Sequence, residues 1–306
     1  MKIFFVILPA IIMSTIMSSK SVYRVTPQGD QDPDPLFSFG IIADVQYCDC
    51  DPAGTRYFRS SLPKLEEAMR FFRKESPGFI INLGDLIEKD FDSYNAVMNI
   101  LDSSGFKIYH VAGNHDYSVE SKYKKHIPPL EAGKEGYYTF RIDRYRFIIL
   151  NGNEISTYSS GNNRVIKQAA ELIDKLKAGG EINALDWNGA ISAKQIKWLT
   201  NQLNRASSND ELVFIACHFP VWPVNEHNLL NYKDIIDLLG KYNNIIAWFN
   251  GHNHMGNYGN FNMIHFITLK GMVETPAINS YSVVDVYKNK IWIRGSGREK
   301  SQILAY

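Results

Sequence analysis

Five places in the 306-residue chain set metal-ligand side chains at the end of an apolar run, four of them in short motifs and one a lone histidine. They are Asp44-Val45-Gln46, Gly84-Asp85, Gly113-Asn114-His115-Asp116, His218, and Gly251-His252-Asn253-His254. Carboxylate, amide and imidazole donors of this kind suit divalent metal ions. Two such ions ~3.5–4 Å apart can clamp the attacking and leaving oxygens of a phosphoryl group, with one carboxylate bridging them. Gly-Asp alone, or Gly-His-Asn-His alone, says little, because either can be an ordinary turn. All five in this order point to one convergent site. Glycine before Asp85, Asn114 and His252 lets the backbone turn sharply at a strand end.

Apolar periodicity supplies the elements that must carry these residues. Residues 37–43, 78–83, 107–111, 211–217 and 245–250 read as strands that stop at or just before the five motifs. Residues 59–74, 92–101, 164–177, 192–205 and 229–239 carry helical spacing. Residues 137–141 and 146–150 read as a hairpin about Asp143-Arg144, and residues 263–269, 280–287 and 290–294 as further strands. The alternation predicts an α/β fold. In open α/β sheets a site forms outside the carboxyl ends of the strands, where these motifs fall.

In the order of its motifs the chain resembles the calcineurin-like metallophosphoesterase superfamily, whose pattern is D-x-H, G-D, G-N-H-[DE], H and G-H-x-H. The resemblance implies a four-layer α/β/β/α sandwich with a dinuclear site at the strand ends. It implies Asp44, Gln46, Asp85 and His254 on the first metal, and Asp85, Asn114, His218 and His252 on the second. Asp85 is then the bridge. It further implies attack on phosphorus by a hydroxide shared by the ions, with His115 facing the substrate as a proton donor or a positive charge. Glu88 is the candidate to orient His115. Gln46 stands where the superfamily has His. An amide oxygen is a harder donor than imidazole, which biases the first site toward Mn²⁺, with Mg²⁺, Fe or Zn²⁺ as the other candidates.

The D-x-Q variant is similar to the manganese-dependent ADP-ribose/CDP-alcohol diphosphatase family. The likeness extends through residues 41–47 (IIADVQY), 54–62 (GTRYFRSSL), 186–199 (DWNGAISAKQIKWL), 269–276 (LKGMVETP) and 291–298 (IWIRGSGR). Met255, Asn257 and Glu88 depart from that family's pattern. This resemblance implies hydrolysis of a nucleotide diphosphate linkage to two phosphomonoesters, with substrates such as ADP-ribose, CDP-choline or CDP-glycerol. Arg56 and Arg59 could fork onto a second phosphate. Tyr47, Tyr57 and Phe58 could stack on a base, and Asn188 could bond a ribose or phosphate. Two other readings stay open: an exported, broad-specificity phosphomonoesterase or phosphodiesterase, and a non-catalytic binding module of the same fold.

Composition bounds the rest. Hydrophobic residues make up 45% and charged residues 21%, so a packed core is expected and disorder is excluded. The net charge of +1 gives no field for nucleic acid. Lys2, an apolar run over residues 3–17 and small polar residues to Ser21 describe a secretory signal or an uncleaved N-terminal anchor, the one expected membrane contact. The protein is therefore expected to be exported, with residues 22–36 as a linker and residues 37–306 as the phosphoesterase domain. Three cysteines are too few for a disulfide framework. A bridge between Cys48 and Cys50 is expected to be strained, and Cys217 to be a buried thiol. His110, His126, His227 and His265 lie outside the motifs and read as structural or exposed.

Overall fold

Strand-forming runs that are apolar on both faces must be covered on both faces, and that requirement sets the architecture. The computed structural model describes residues 34–130 and 135–306. In chain order the elements are β1 (Phe37–Ile42), α1 (Ser61–Glu75), β2 (Phe79–Asn82), α2 (Ser93–Asp102), β3 (Ile108–His110), β4 (Tyr138–Ile142) and β5 (Tyr145–Ile149). Then come α3 (Asn163–Ala178), α4 (Ala193–Ser208), β6 (Leu212–Ala216), α5 (Tyr232–Leu239) and β7 (Ile245–Asn250). Five strands close the chain: β8 (Asn257–Phe261), β9 (Ile264–Thr268), β10 (Ser280–Val286), β11 (Lys290–Gly297) and β12 (Gln302–Ala305).

They form two six-stranded sheets, ordered β12-β11-β10-β1-β2-β3 and β4-β5-β6-β7-β9-β8. Strands β1, β2 and β3 run parallel, as do β5, β6, β7 and β9. The sheets face each other across Phe39, Phe79, Phe147, Phe214 and Phe249. Side chains alternate along a strand, so Phe39 and Ile41 enter this inner layer while Ile42 turns to the helices. Outside the first sheet, α1 and α2 bury Leu65, Met69, Phe72 and Val97. Outside the second, α4 and α5 bury Leu199, Leu203, Ile235 and Leu239 against Val213, Ile215 and Trp248. This is the α/β/β/α sandwich that the resemblance implied.

Residues 35–306 form one compact unit. The signal or anchor expected at residues 1–21, and most of the linker expected at 22–36, lie outside the described residues. No helix among the described residues is long and apolar enough to cross a membrane. Two edge strands, β8 and β12, escaped the apolar pattern because alternate residues face solvent. Helix α5 starts three residues later than its apolar spacing predicts. The Leu229 and Leu230 amides are taken by Pro220 and Gly189 carbonyls, which holds that stretch out of the helix.

Phe39 touches four other rings at centroid distances of 5.3–6.0 Å. Three of them, Phe147, Phe214 and Phe249, belong to the opposite sheet. Phe39→Ala is expected to lower the unfolding free energy by about 3–5 kcal/mol, the range for emptying a buried aromatic site. Urea denaturation measures it. A loss under about 1 kcal/mol would mean that the two sheets do not lock through this ring.

Candidate metal centre

The parallel strands of both sheets end on one edge, and four of the seven candidate metal ligands sit there in backbone that resists ordinary residues. Asp44, Gln46, Asp85 and His252 have φ of 52°, 43°, 57° and 66°. Non-glycine residues enter this left-handed region at a cost, and such strain collects at functional sites. Two glycines make room for it. A Cβ on Gly113 would lie 2.1 Å from Asp85 Oδ1. Gly84 has φ of 103°, and a Cβ there would lie 2.7 Å from His218 Nδ1.

The turns are pinned by Asp116, which is fully buried. Its carboxylate accepts the amides of Asp85 (2.9 Å), Leu86 (3.0 Å) and Gly113 (2.8 Å) and the Tyr94 hydroxyl (2.9 Å). Burial, and then the charge of Asp85, push its pKa up to about 6. Asp116 lies in the G-N-H-D motif, yet spacing alone assigned it no role.

Asp85 occupies the centre. Its Oδ1 accepts the His115 amide at 2.8 Å. Its Oδ2 meets Gln46 Nε2 at 3.1 Å and His218 Nε2 at 3.2 Å. Burial works to raise its pKa, but the charges of His218 and His115 hold the carboxylate well below its ordinary range. His218 is the reciprocal case: burial disfavours its charge, yet Asp85 drives it up to about 9. Burial and the nearby His218 push His252 well below its ordinary value, so it is neutral.

Each of the three candidate ligand imidazoles is held through one nitrogen. His218 Nδ1 donates to the Leu83 carbonyl at 2.8 Å. His254 Nδ1 meets Glu274 at 2.8 Å, leaving Nε2 at 3.5 Å from Asp44. His252 Nε2 meets Asn188 Oδ1 at 2.9 Å. Asn188 Nδ2 donates to the Asn183 (2.9 Å) and Glu226 (2.7 Å) carbonyls, so the oxygen must face His252, whose Nε2 then carries the proton. The other nitrogen of each ring is left for the centre. Fixing a ligand imidazole through its second nitrogen is how metal sites set its tautomer.

The donor set fits divalent metal. Among the described residues, ligand atoms of Asp85, His218 and His252 lie within 4.8 Å of one another. Gln46 Oε1 is buried and has no hydrogen-bond partner among the described residues. A buried amide oxygen without a donor is costly unless a cation meets it.

The cluster floors a cavity of about 830 Å³ that Arg56, His115, Trp187 and His227 help to line. His115 Nδ1 lies 3.1 Å from both the backbone oxygen and the carboxylate of Glu88. Two acceptors at Nδ1 require the proton there and leave Nε2 free. Arg56 reaches the same carboxylate at 3.4 Å. Of the residues expected to bind the second phosphate, ribose or base, Arg56 alone lines this cavity. Arg59 is captured by Asp49 and Asp51 on the exposed surface. Tyr47 faces a separate cavity with Cys48 and Phe91. Tyr57 is not among the lining residues, and Phe58 is core, 3% exposed. Asn188 is fully buried and holds His252 instead of facing the cavity. Cys48 and Cys50 are joined as a disulfide with Cα atoms 5.3 Å apart. Cys217 is a buried thiol whose pKa burial pushes up to about 12. His227 lines the cavity, with its ring 5.4 Å from that of His252.

Glu274 was not singled out, and its support explains why it can act on His254. Buried Lys64, on α1, donates to the Met272, Glu274 (3.1 Å) and Thr275 (3.0 Å) carbonyls. Arg298 donates to the Gly271 carbonyl. Two cations thus hold the 271–275 loop that presents Glu274. Burial lowers the His254 pKa, but Asp44 and then Glu274 drive it up to about 10.

The family model for calcineurin-like phosphoesterases matches residues 37–256. Curated relatives named manganese-dependent ADP-ribose/CDP-alcohol diphosphatase match over most of their length. The protein from Mus musculus is 28% identical, covering 92% of this chain and 97% of its own. The protein from Arabidopsis thaliana is 27% identical, covering 87% of this chain and 96% of its own. A crystal structure of a dimetal phosphatase from Danio rerio superposes with a TM-score of 0.80 at 24% identity, covering 89% of this chain and 100% of that one.

Glu274→Gln removes the charge on His254 Nδ1 and keeps the shape. Affinity for divalent metal is expected to fall about 10- to 100-fold, the usual effect of losing such a partner. Calorimetric titration of the metal-stripped protein measures it, with the melting temperature as a folding control. Wild-type affinity would show that Glu274 does not tune the ligand.

Proposed function

The chain belongs to the calcineurin-like phosphoesterase family, and we propose that it hydrolyses the phosphoanhydride of nucleotide diphosphates of the ADP-ribose and CDP-alcohol type. It is a hydrolase of phosphate bonds. Gln46 carries the reading: an amide stands in the first motif beside Asp85, and its buried oxygen has no hydrogen-bond partner among the described residues. Relatives named for this manganese-dependent reaction match nearly the whole chain.

Asp44, Gln46, Asp85 and His254 would hold one ion, and Asp85, Asn114, His218 and His252 the other. Bound there, divalent ions supply charge that polarises phosphoryl oxygens and lowers the pKa of water. The protein does the rest. His115 keeps its Nδ1 proton on Glu88 and presents Nε2 to the cavity, where a proton can pass to the departing phosphate oxygen. Glu88 stabilises the charged imidazole, and Arg56 both steadies Glu88 and offers positive charge to the second phosphate. Asp116 keeps Asp85 in its strained turn.

Initial rates with Mn²⁺ on ADP-ribose, CDP-choline, CDP-glycerol and p-nitrophenyl phosphate test the proposal. A diphosphate should be split fastest. Asp85→Asn should cost at least about 100-fold, since it removes charge shared by both ions. Turnover of the monoester alone would replace this reading with a broad phosphomonoesterase.

Export is part of the same proposal. The apolar run after Lys2 supports it, and a Cys48–Cys50 disulfide suits an oxidising compartment. N-terminal sequencing of the protein recovered from its native cells is expected to begin near residue 22. An intact Met1 in protein recovered from the cytosol would refute export.

A further inference from the structure

We propose that Trp187 is the platform on which the aromatic base of the substrate stacks, and that it sets the preference for nucleotides over simple phosphate esters. The inference rests on the nucleotide reading above. Among the described residues lining the 830 Å³ cavity, Trp187 is the one Phe, Tyr or Trp. It is 47% exposed, whereas Trp248 is fully buried. Leaving so large an apolar surface in water forfeits burial that a core tryptophan would gain.

The exposure is built in. Asn188, the next residue, is fully buried, bonded to two carbonyls and to His252. Its amide also donates to the Leu185 carbonyl at 3.1 Å. On the far side Ala190 exchanges backbone hydrogen bonds with Ile155. Gly189 sits so close to the Gly152 carbonyl that a Cβ would lie 2.2 Å from it. The backbone carrying Trp187 is therefore tied to the metal centre itself, through Asn188 and His252, while its ring stays in the cavity.

Met255, next to His254, is 76% exposed and lines the same cavity. A flexible thioether packs readily against aromatic surfaces. Arg56 and His115 line the cavity too and suit the phosphates. One cavity thus offers charge for a diphosphate and an aromatic face for what is attached to it. Every base has a π-face, so a stacking platform tolerates both adenine and cytosine. That matches a reaction whose substrates differ in base.

The test uses metal-loaded enzyme and the two kinds of product, AMP or CMP with a base and ribose 5-phosphate without one. AMP and CMP should quench tryptophan fluorescence, and ribose 5-phosphate should not. Trp187→Ala should weaken AMP and CMP binding about 5- to 150-fold, the range of base–aromatic stacking. It should leave ribose 5-phosphate binding unchanged. It should raise KM for ADP-ribose with kcat nearly constant, as for binding shared by ground and transition states. Trp187→Phe should keep most of the affinity and lose the quench. Wild-type AMP affinity in Trp187→Ala, with ADP-ribose still hydrolysed, would overturn the stacking role alone. Wild-type enzyme that turns over p-nitrophenyl phosphate and neither binds AMP nor cleaves ADP-ribose would overturn the nucleotide reading and the platform together.

Discussion

A single buried carboxylate imposes the order of this site. Asp85 is fully buried, and a charge taken out of water must be met by hydrogen bonds and opposite charge or it will be neutralised. Its partners come from the ends of three other strands: Gln46 after β1, the His115 amide after β3 and His218 after β6. The first three strands belong to one sheet and β6 to the other. The charge of Asp85 therefore requires the two sheets to align at one edge, and the Phe39 cluster fixes their separation. The strained turn at Asp85 persists because Asp116 takes the amides of Asp85, Leu86 and Gly113.

A second constraint governs the histidines. A ring that is to bind metal needs one nitrogen free, and the fold secures this by occupying the other. The three anchors differ in kind: a backbone carbonyl for His218, an amide for His252 and a carboxylate for His254. The electrostatics of the rings follow burial and the charges around them. His254 and His218 sit beside carboxylates and hold protons readily, whereas burial and the nearby His218 push His252 the other way. Metal entering such a site must displace protons from two rings and none from the third.

The positions of the candidate ligands were legible because the ends of apolar runs write them into sequence. An apolar run has to stop, and Asp44, Asp85, Asn114, His218 and His252 mark where each stops. The α/β class followed from the same alternation, and the layered sandwich from the family resemblance. The supports were not legible. Glu274 reaches His254 across β8 and β9, and nothing in the stretch KGMVETP marks it as different from any surface glutamate. Lys64 lies in an amphipathic helix with nothing in its spacing to mark it, yet it is buried under three carbonyls of a loop more than two hundred residues away. Arg59 was misread because only the folded loop brings Asp49 and Asp51 onto it.

The contrast follows from how the two halves of the site are built. The centre that does chemistry hangs on strand ends, where backbone register decides which side chain points inward. Past the end of β1, the left-handed turns at Asp44 and Gln46 leave Gln46 beside Asp85 and Tyr47 in another cavity. The cavity wall comes from loops that include residues 53–56, Trp187 and 254–255, which are brought together by contacts such as Asn188 to His252. Register can be read from periodicity and such contacts cannot. The motifs were therefore accessible from sequence, and the reaction type came with the family resemblance they carry, while the aromatic residue of the cavity emerged only when Tyr47, Tyr57 and Phe58 were found elsewhere and Trp187 was found in their place.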